Sequence, residues 1–123
     1  MSLLWTFGRN DYGQLGLGDI TPYSSPVQVG SLTTWSQVAG GLYFTAAVKT
    51  DGTLWTWGRN DYGQLGQGDI VPLSSPVQVG SLTTWDNVAC GHYHTGALQG
   101  EPGITSSSSS NRYYMLLLTL SSI

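Results

Sequence analysis

Charge is the scarcest ingredient of this sequence. Lysine, arginine, aspartate and glutamate make up 9% of its 123 residues, against roughly a quarter in an average soluble domain. Four basic residues against seven acidic ones leave a formal net charge of −3. That balance supplies no basic face for a phosphate backbone or an anionic lipid surface, so neither nucleic acid nor membrane is expected as a partner. A single cysteine, Cys90, excludes an internal disulfide framework. No stretch sustains a 3.6-residue apolar period, because Gly or Pro interrupts every candidate helix. The start, MSLLWTF, lacks the charged region and the length of a secretory signal. The apolar run YYMLLLTLSSI is too short to span a bilayer. The compartment is left open.

Glycine and tryptophan are abundant instead, with 17 and 5 copies. Many turns and large aromatic anchors point to short strands. They recur in order: WTFGRNDYGQLGLGD begins at Trp5 and WTWGRNDYGQLGQGD at Trp55. Aligning 4–49 with 54–99 pairs 46 positions, of which 12 differ, so the chain carries an internal repeat with a 50-residue period.

Each repeat reads as about four short antiparallel strands. GTLWTWG (52–58) alternates, with Trp55 and Trp57 on one face and Leu54 and Thr56 on the other. It follows TAAVKTDG (45–52), where Asp51-Gly52 predicts a two-residue hairpin turn. SPVQVG (75–80) is a strand entered through Pro76, as suits a sheet edge, and TWDNVACG (84–91) is another. A four-stranded unit of this length, rich in Gly and Trp, fits a β-propeller blade. A blade lies between two others, so both its faces must be apolar, which accounts for the scarcity of charge.

The fold expected is therefore all-β. With the inner strand first, the chain divides into half a blade (4–30), one full blade (35–80) and another half blade (85–98). Such a propeller is partial, belonging to a longer one, or is completed by oligomerisation. In the second case the N-terminal half blade of one chain meets the C-terminal half blade of the next, giving a six-bladed trimer or an eight-bladed tetramer. Residues 1–99 hold the two repeats. A Ser-rich linker is expected over 100–112 and a short apolar tail over 113–123, which docks as an extra strand or covers an edge.

The repeated glycine loop invites a phosphate-binding reading. Its spacing, G-x-x-G-x-G, reverses the dinucleotide pattern, and neither a Walker lysine nor a helix start follows. A structural reading is preferred: Gly8, Arg9, Asn10, Gly13, Gln14, Leu15 and Gly16, with Gly58, Arg59, Asn60, Gly63, Gln64, Leu65 and Gly66, build the same inter-strand loop twice. Asp11, Asp19, Asp61 and Asp69 match no calcium-loop spacing and are read as turn formers.

The order DGTLWTWGRNDYGQLGQGD, SPVQV, WDNVACGHYHT closely resembles the regulator-of-chromosome-condensation repeat over about 4–98. The first unit departs from the last segment, reading VAGGLYFT, with Phe44 at the histidine position. The resemblance implies β-propellers, typically seven-bladed, that serve mostly as non-catalytic binding platforms. Members of the family include an exchange factor for a small GTPase, a β-lactamase inhibitor and an ultraviolet-B photoreceptor. The photoreceptor's G-W-R-H-T motif has lost its tryptophan here, since GLYFT (41–45) and GHYHT (91–95) carry Leu42 and His92. No extended insertion matches the exchange factor's wedge.

Cys90, His92 and His94 lie two residues apart, so an unbroken strand would align three metal ligands. They are weak candidates: Gly91 marks a turn that breaks the alternation, and the first unit has Gly40, Leu42 and Phe44 there. No metal and no cofactor are expected, and no serine has a base partner at motif level. Tyr12, Tyr62, His92 and His94 are the candidate partner-binding residues. Five of the differences between units fall at alternate positions, 40/90 to 48/98. One strand face therefore meets different surroundings in the two units, either as a binding surface or as a terminal blade without its neighbour. The expected function is a non-catalytic protein-binding or scaffold module of the propeller type. The alternatives are a structural part of a larger bacterial or phage repeat protein and, lower, a binder of the exchange-factor or enzyme-inhibitor kind. Expected partners are an unidentified protein and, through ring closure, further copies of the chain.

Overall fold

The computed structural model describes residues 2–100, so the expected tail and all of the expected linker except Gly100 lie outside the described residues. Eight strands follow one another: β1 (Trp5–Gly8), β2 (Tyr23–Gln28), β3 (Trp35–Gly40), β4 (Phe44–Lys49), β5 (Leu54–Gly58), β6 (Leu73–Gln78), β7 (Trp85–Cys90) and β8 (Thr95–Gln99). They form a two-stranded sheet β1-β2, a four-stranded sheet β3-β4-β5-β6 and a two-stranded sheet β7-β8, all antiparallel. The chain is thus half a blade, a full blade and half a blade. Because β1-β2 repeats β5-β6, and β7-β8 repeats β3-β4, the two half blades are opposite halves of the same unit. No described residue is helical, so no helix is long and apolar enough to cross a membrane.

The β4-β5 hairpin shows how local sequence sets register. Thr45 pairs with Trp57 and Ala47 with Trp55. The turn holds three residues rather than two: Lys49 N–H donates to the Thr53 carbonyl at 2.9 Å and Gly52 N–H to the Lys49 carbonyl at 3.0 Å. Gly52 has φ +82°, the left-handed residue that ends a three-residue loop. Asp51 braces the turn by accepting from Thr53 N–H and the Thr53 hydroxyl. β6 begins at Leu73, earlier than the sequence pattern indicates, and holds Pro76 in its interior. Position explains this: β6 is an edge strand, and a proline there need not interrupt a ladder.

Both faces of the full blade are apolar. On one, Trp35, Ala47 and Trp57 pack with Leu4 and Val29 of the preceding half blade. On the other, Ala46, Val48 and Leu54 pack with Val88 of the following one. Trp57 is fully buried, and its ring meets that of Trp35 edge-on at 5.9 Å. Polar links reinforce the first seam, where the Gln14 carbonyl accepts from both Thr45 Oγ1 (2.8 Å) and Trp57 Nε1 (2.9 Å).

Candidate interaction surface

Each glycine loop is organised by one buried asparagine. Asn10 Nδ2 donates to the carbonyls of Asp19 (3.1 Å) and Thr21 (2.8 Å), and its Oδ1 accepts from Leu15 N–H at 2.9 Å. Asn60 repeats the set with Asp69, Val71 and Leu65. Leu15 and Leu65 are buried beneath the loops. Gln14 and Gln64 each accept the N–H of the tyrosine two residues earlier, Tyr12 and Tyr62. Gly8, Gly13, Gly16, Gly58, Gly63 and Gly66 all take positive φ. At Gly58 the reason is a close approach, since a Cβ would lie 2.6 Å from Phe44 Cα and 2.7 Å from the Tyr43 carbonyl.

These rigid loops carry Arg9, Tyr12, Arg59 and Tyr62 to one end of the strands. There they meet the turns after β3 and β7, which carry Tyr43 and Tyr93. Arg9 donates to the Tyr43 hydroxyl at 2.9 Å and lies over its ring at 4.4 Å. Tyr12 stacks on Tyr43 at 5.3 Å, and Tyr62 meets Tyr93 edge-on at 5.1 Å. The Arg59 guanidinium lies within 5.2–5.9 Å of the rings of Tyr12, Tyr43, Tyr62 and Tyr93. The result is a continuous arginine–tyrosine band across the seam between repeats. Tyr62 and Tyr93 are 66% and 48% exposed, so the band has open ring surface to offer.

Two further features mark the band. Tyr43 has φ +68°, alone among the described non-glycine residues, a conformation that strains the backbone by roughly 1–3 kcal/mol. The bond from Arg59 N–H to the Tyr43 carbonyl at 2.8 Å helps hold it. The acids of the band are also engaged: Asp11 takes Arg9 and Asp61 takes Arg59 through paired contacts of 2.8–2.9 Å. Those bonds hold both carboxyls below the usual carboxylate range and push both guanidinium groups up.

Sequence reasoning offered Tyr12, Tyr62, His92 and His94 as partner-binding candidates, did not single out Tyr43 and Tyr93, and read the arginines only as loop builders. The available signal was the identity of positions 43 and 93 amid substituted neighbours. His92 is exposed, with its ring 6.1 Å from that of Tyr93. His94 is exposed too, but its ring folds over Gly91, as that of Phe44 folds over Gly41. Cys90, His92 and His94 do not converge, and among the described residues no three His, Cys, Asp or Glu form a metal-holding group. The break at Gly91 turns the histidines away, while Cys90 Sγ donates toward the Ala39 carbonyl at 3.5 Å. Burial raises the Cys90 thiol pKa. Of the alternating differences, 46/96 and 48/98 fall on the face by which β4 packs against the next blade. On β8 that face meets no blade among the described residues.

One four-stranded antiparallel sheet packed face to face between two two-stranded half blades defines a partial β-propeller. The profile of the regulator of chromosome condensation (RCC1) repeat matches residues 3–48 and 51–98, and a second profile of that repeat matches 35–64. The chain belongs to this repeat family. It is similar to human WBSCR16, with 27% identity and a TM-score of 0.70 over 80% of this chain and 26% of that one. Yeast RCC1 (Prp20), solved bound to Kap60, is 20% identical with a TM-score of 0.69 over 79% of this chain and 26% of its own. Another structure, of Prp20p from Saccharomyces cerevisiae, described with that protein's binding to Gsp1p and histones, gives 18% and 0.64 over 94% and 30%. The chain therefore spans between a quarter and a third of the length of these relatives, and likenesses below a quarter identity speak to fold alone.

Proposed function

We propose that this chain is a non-catalytic protein-binding module whose contact surface is the arginine–tyrosine band. The observation that carries the reading is the band itself: exposed Arg9, Tyr12, Tyr62 and Tyr93 around a half-buried Arg59, residue types that dominate binding hot spots, fixed on loops stapled from within. Asp11 and Asp61 are engaged by arginines, which lowers both carboxyls and makes them weaker bases. The yeast relative, solved bound to Kap60, is a protein with such repeats that binds another protein. A structural role within a larger repeat assembly is the second reading, favoured by the strand edges of the two half blades that are unpaired among the described residues.

The test compares partner capture by the full chain and by a Tyr12→Ala/Tyr62→Ala variant. Loss of two hot-spot rings is expected to weaken capture of a discrete protein by tenfold or more, at roughly 2 kcal/mol per central residue. The unfolding midpoint should fall only modestly, by the loss of two aromatic contacts. A partner held equally well by the variant would remove the band from the account.

A further inference from the structure

We propose that β8 of one copy of this chain pairs with β1 of a second copy, completing a blade, and that this closure repeats into a ring. The two copies of the repeat provide the comparison. Three positions buried in one copy of the repeat are open in the other: Trp57 is fully buried but Phe7 is 60% exposed, Val48 is 2% exposed but Leu98 61%, and Val88 is 8% exposed but Val38 54%. Each exposed residue lies 50 positions from its buried counterpart. The open positions lie on both half blades and on the face of the full blade that β1-β2 covers only in part, so they are complementary halves of one repeated contact.

The pairing has a defined register, transposed from β4-β5. Thr95 faces Phe7 of the second copy, Gly96 faces Thr6, Ala97 faces Trp5 and Leu98 faces Leu4. The open edge of β1 is suited to this. The Leu4 carbonyl accepts from Val29 N–H on the β2 side, so by strand alternation Trp5 and Phe7 turn their N–H and C=O groups to the free side. Gly8 has φ +114°, as Gly58 has +108°, but a Cβ there would meet nothing within 4 Å. In the completed blade it receives the close approach of His94, as Gly58 receives that of Phe44. Beside β1 runs an open cleft of about 670 Å³, lined by Trp5, Phe7, Tyr43 and Phe44 among others. β7-β8 of the second copy fill it, and Val38 then packs on Leu98 as Val88 packs on Val48. Unpaired edges and apolar faces of this kind otherwise drive uncontrolled association. Residues 2–100 of each copy contribute two blade equivalents, so three copies close six blades and four close eight.

The first test is the mass of the full chain by size-exclusion chromatography with light scattering. A discrete species at about three or four times 13.2 kDa is expected; a 13.2 kDa monomer or a continuous spread of aggregates overturns the proposal. Phe7→Pro removes an N–H only from the free edge and should reduce the discrete mass three- or fourfold. A second measurement does not depend on that variant folding. In a Cys90→Ser chain, Thr6→Cys with Gly96→Cys should give inter-chain disulfides on mild oxidation. Thr6→Cys with Leu98→Cys, out of register, should not. Equal cross-linking of both pairs also overturns the proposal.

Discussion

Trp57→Ala is expected to destabilise the fold by about 4 kcal/mol, read as a fall in the urea midpoint. Trp57 is fully buried, so truncation removes a large apolar surface and leaves a cavity between the first half blade and the full blade. It also loses the edge contact to Trp35 and the indole bond to the Gln14 carbonyl. Thr45 Oγ1 still satisfies that carbonyl, so most of the loss is packing. A small domain has only roughly 5–15 kcal/mol in total, and the variant should lie near the edge of folding. Ile70→Ala is the contrast: Ile70 is 65% exposed, and its loss should stay within about 0.5 kcal/mol. Comparable losses at both sites would show that Trp57 is not the centre of a packed seam.

The second large effect concerns a polar residue. Asn60→Ala should destabilise by about 3 kcal/mol, because it strands the buried Leu65 N–H and removes the donor for the carbonyls of Asp69 and Val71. Asn60→Asp should be no milder, although it is nearly isosteric. It keeps an acceptor for Leu65 but aims a carboxylate at two carbonyls and at Asp69 Oδ1, now 3.2 Å from the Asn60 amide nitrogen. Thermal unfolding of both variants checks this, and a mild Asn60→Asp phenotype would contradict the geometry. The same substitutions at Asn10 act on the first loop through an equivalent bond set.

Much of the fold was legible because the repeat states it twice. The alternation of Leu54, Trp55, Thr56 and Trp57 and the apolar character of both faces were enough to expect a blade, and the order of the strands enough to cut it between repeats. Turn chemistry was harder: Asp51-Gly52 signals a hairpin, but the preceding Thr50 joins the loop, and the choice between two and three residues depends on closure by Lys49 and Thr53. The surface was legible only in part. Tyr12 and Tyr62 stand out as aromatics in a polar loop, whereas Tyr43 and Tyr93 reach them only through packing between blades, at separations that no local pattern displays. Arg59 likewise reads as a loop residue until the fold places four rings around it. Cys90, His92 and His94 failed as a cluster for a local reason, since strand periodicity does not continue through a turn at glycine.

The central claim is that the half blades at the two ends are parts of the same unit as the blade between them. Amide hydrogen exchange on the full chain tests it most directly. The account predicts slow exchange at Thr45, Ala47, Trp55 and Trp57 in the β4-β5 ladder, with matching protection at Thr95, Ala97, Trp5 and Phe7 once blades are completed between copies. Fast exchange at those four end positions beside a protected β4-β5 ladder would contradict completion, and fast exchange throughout 2–100 would contradict the blade itself.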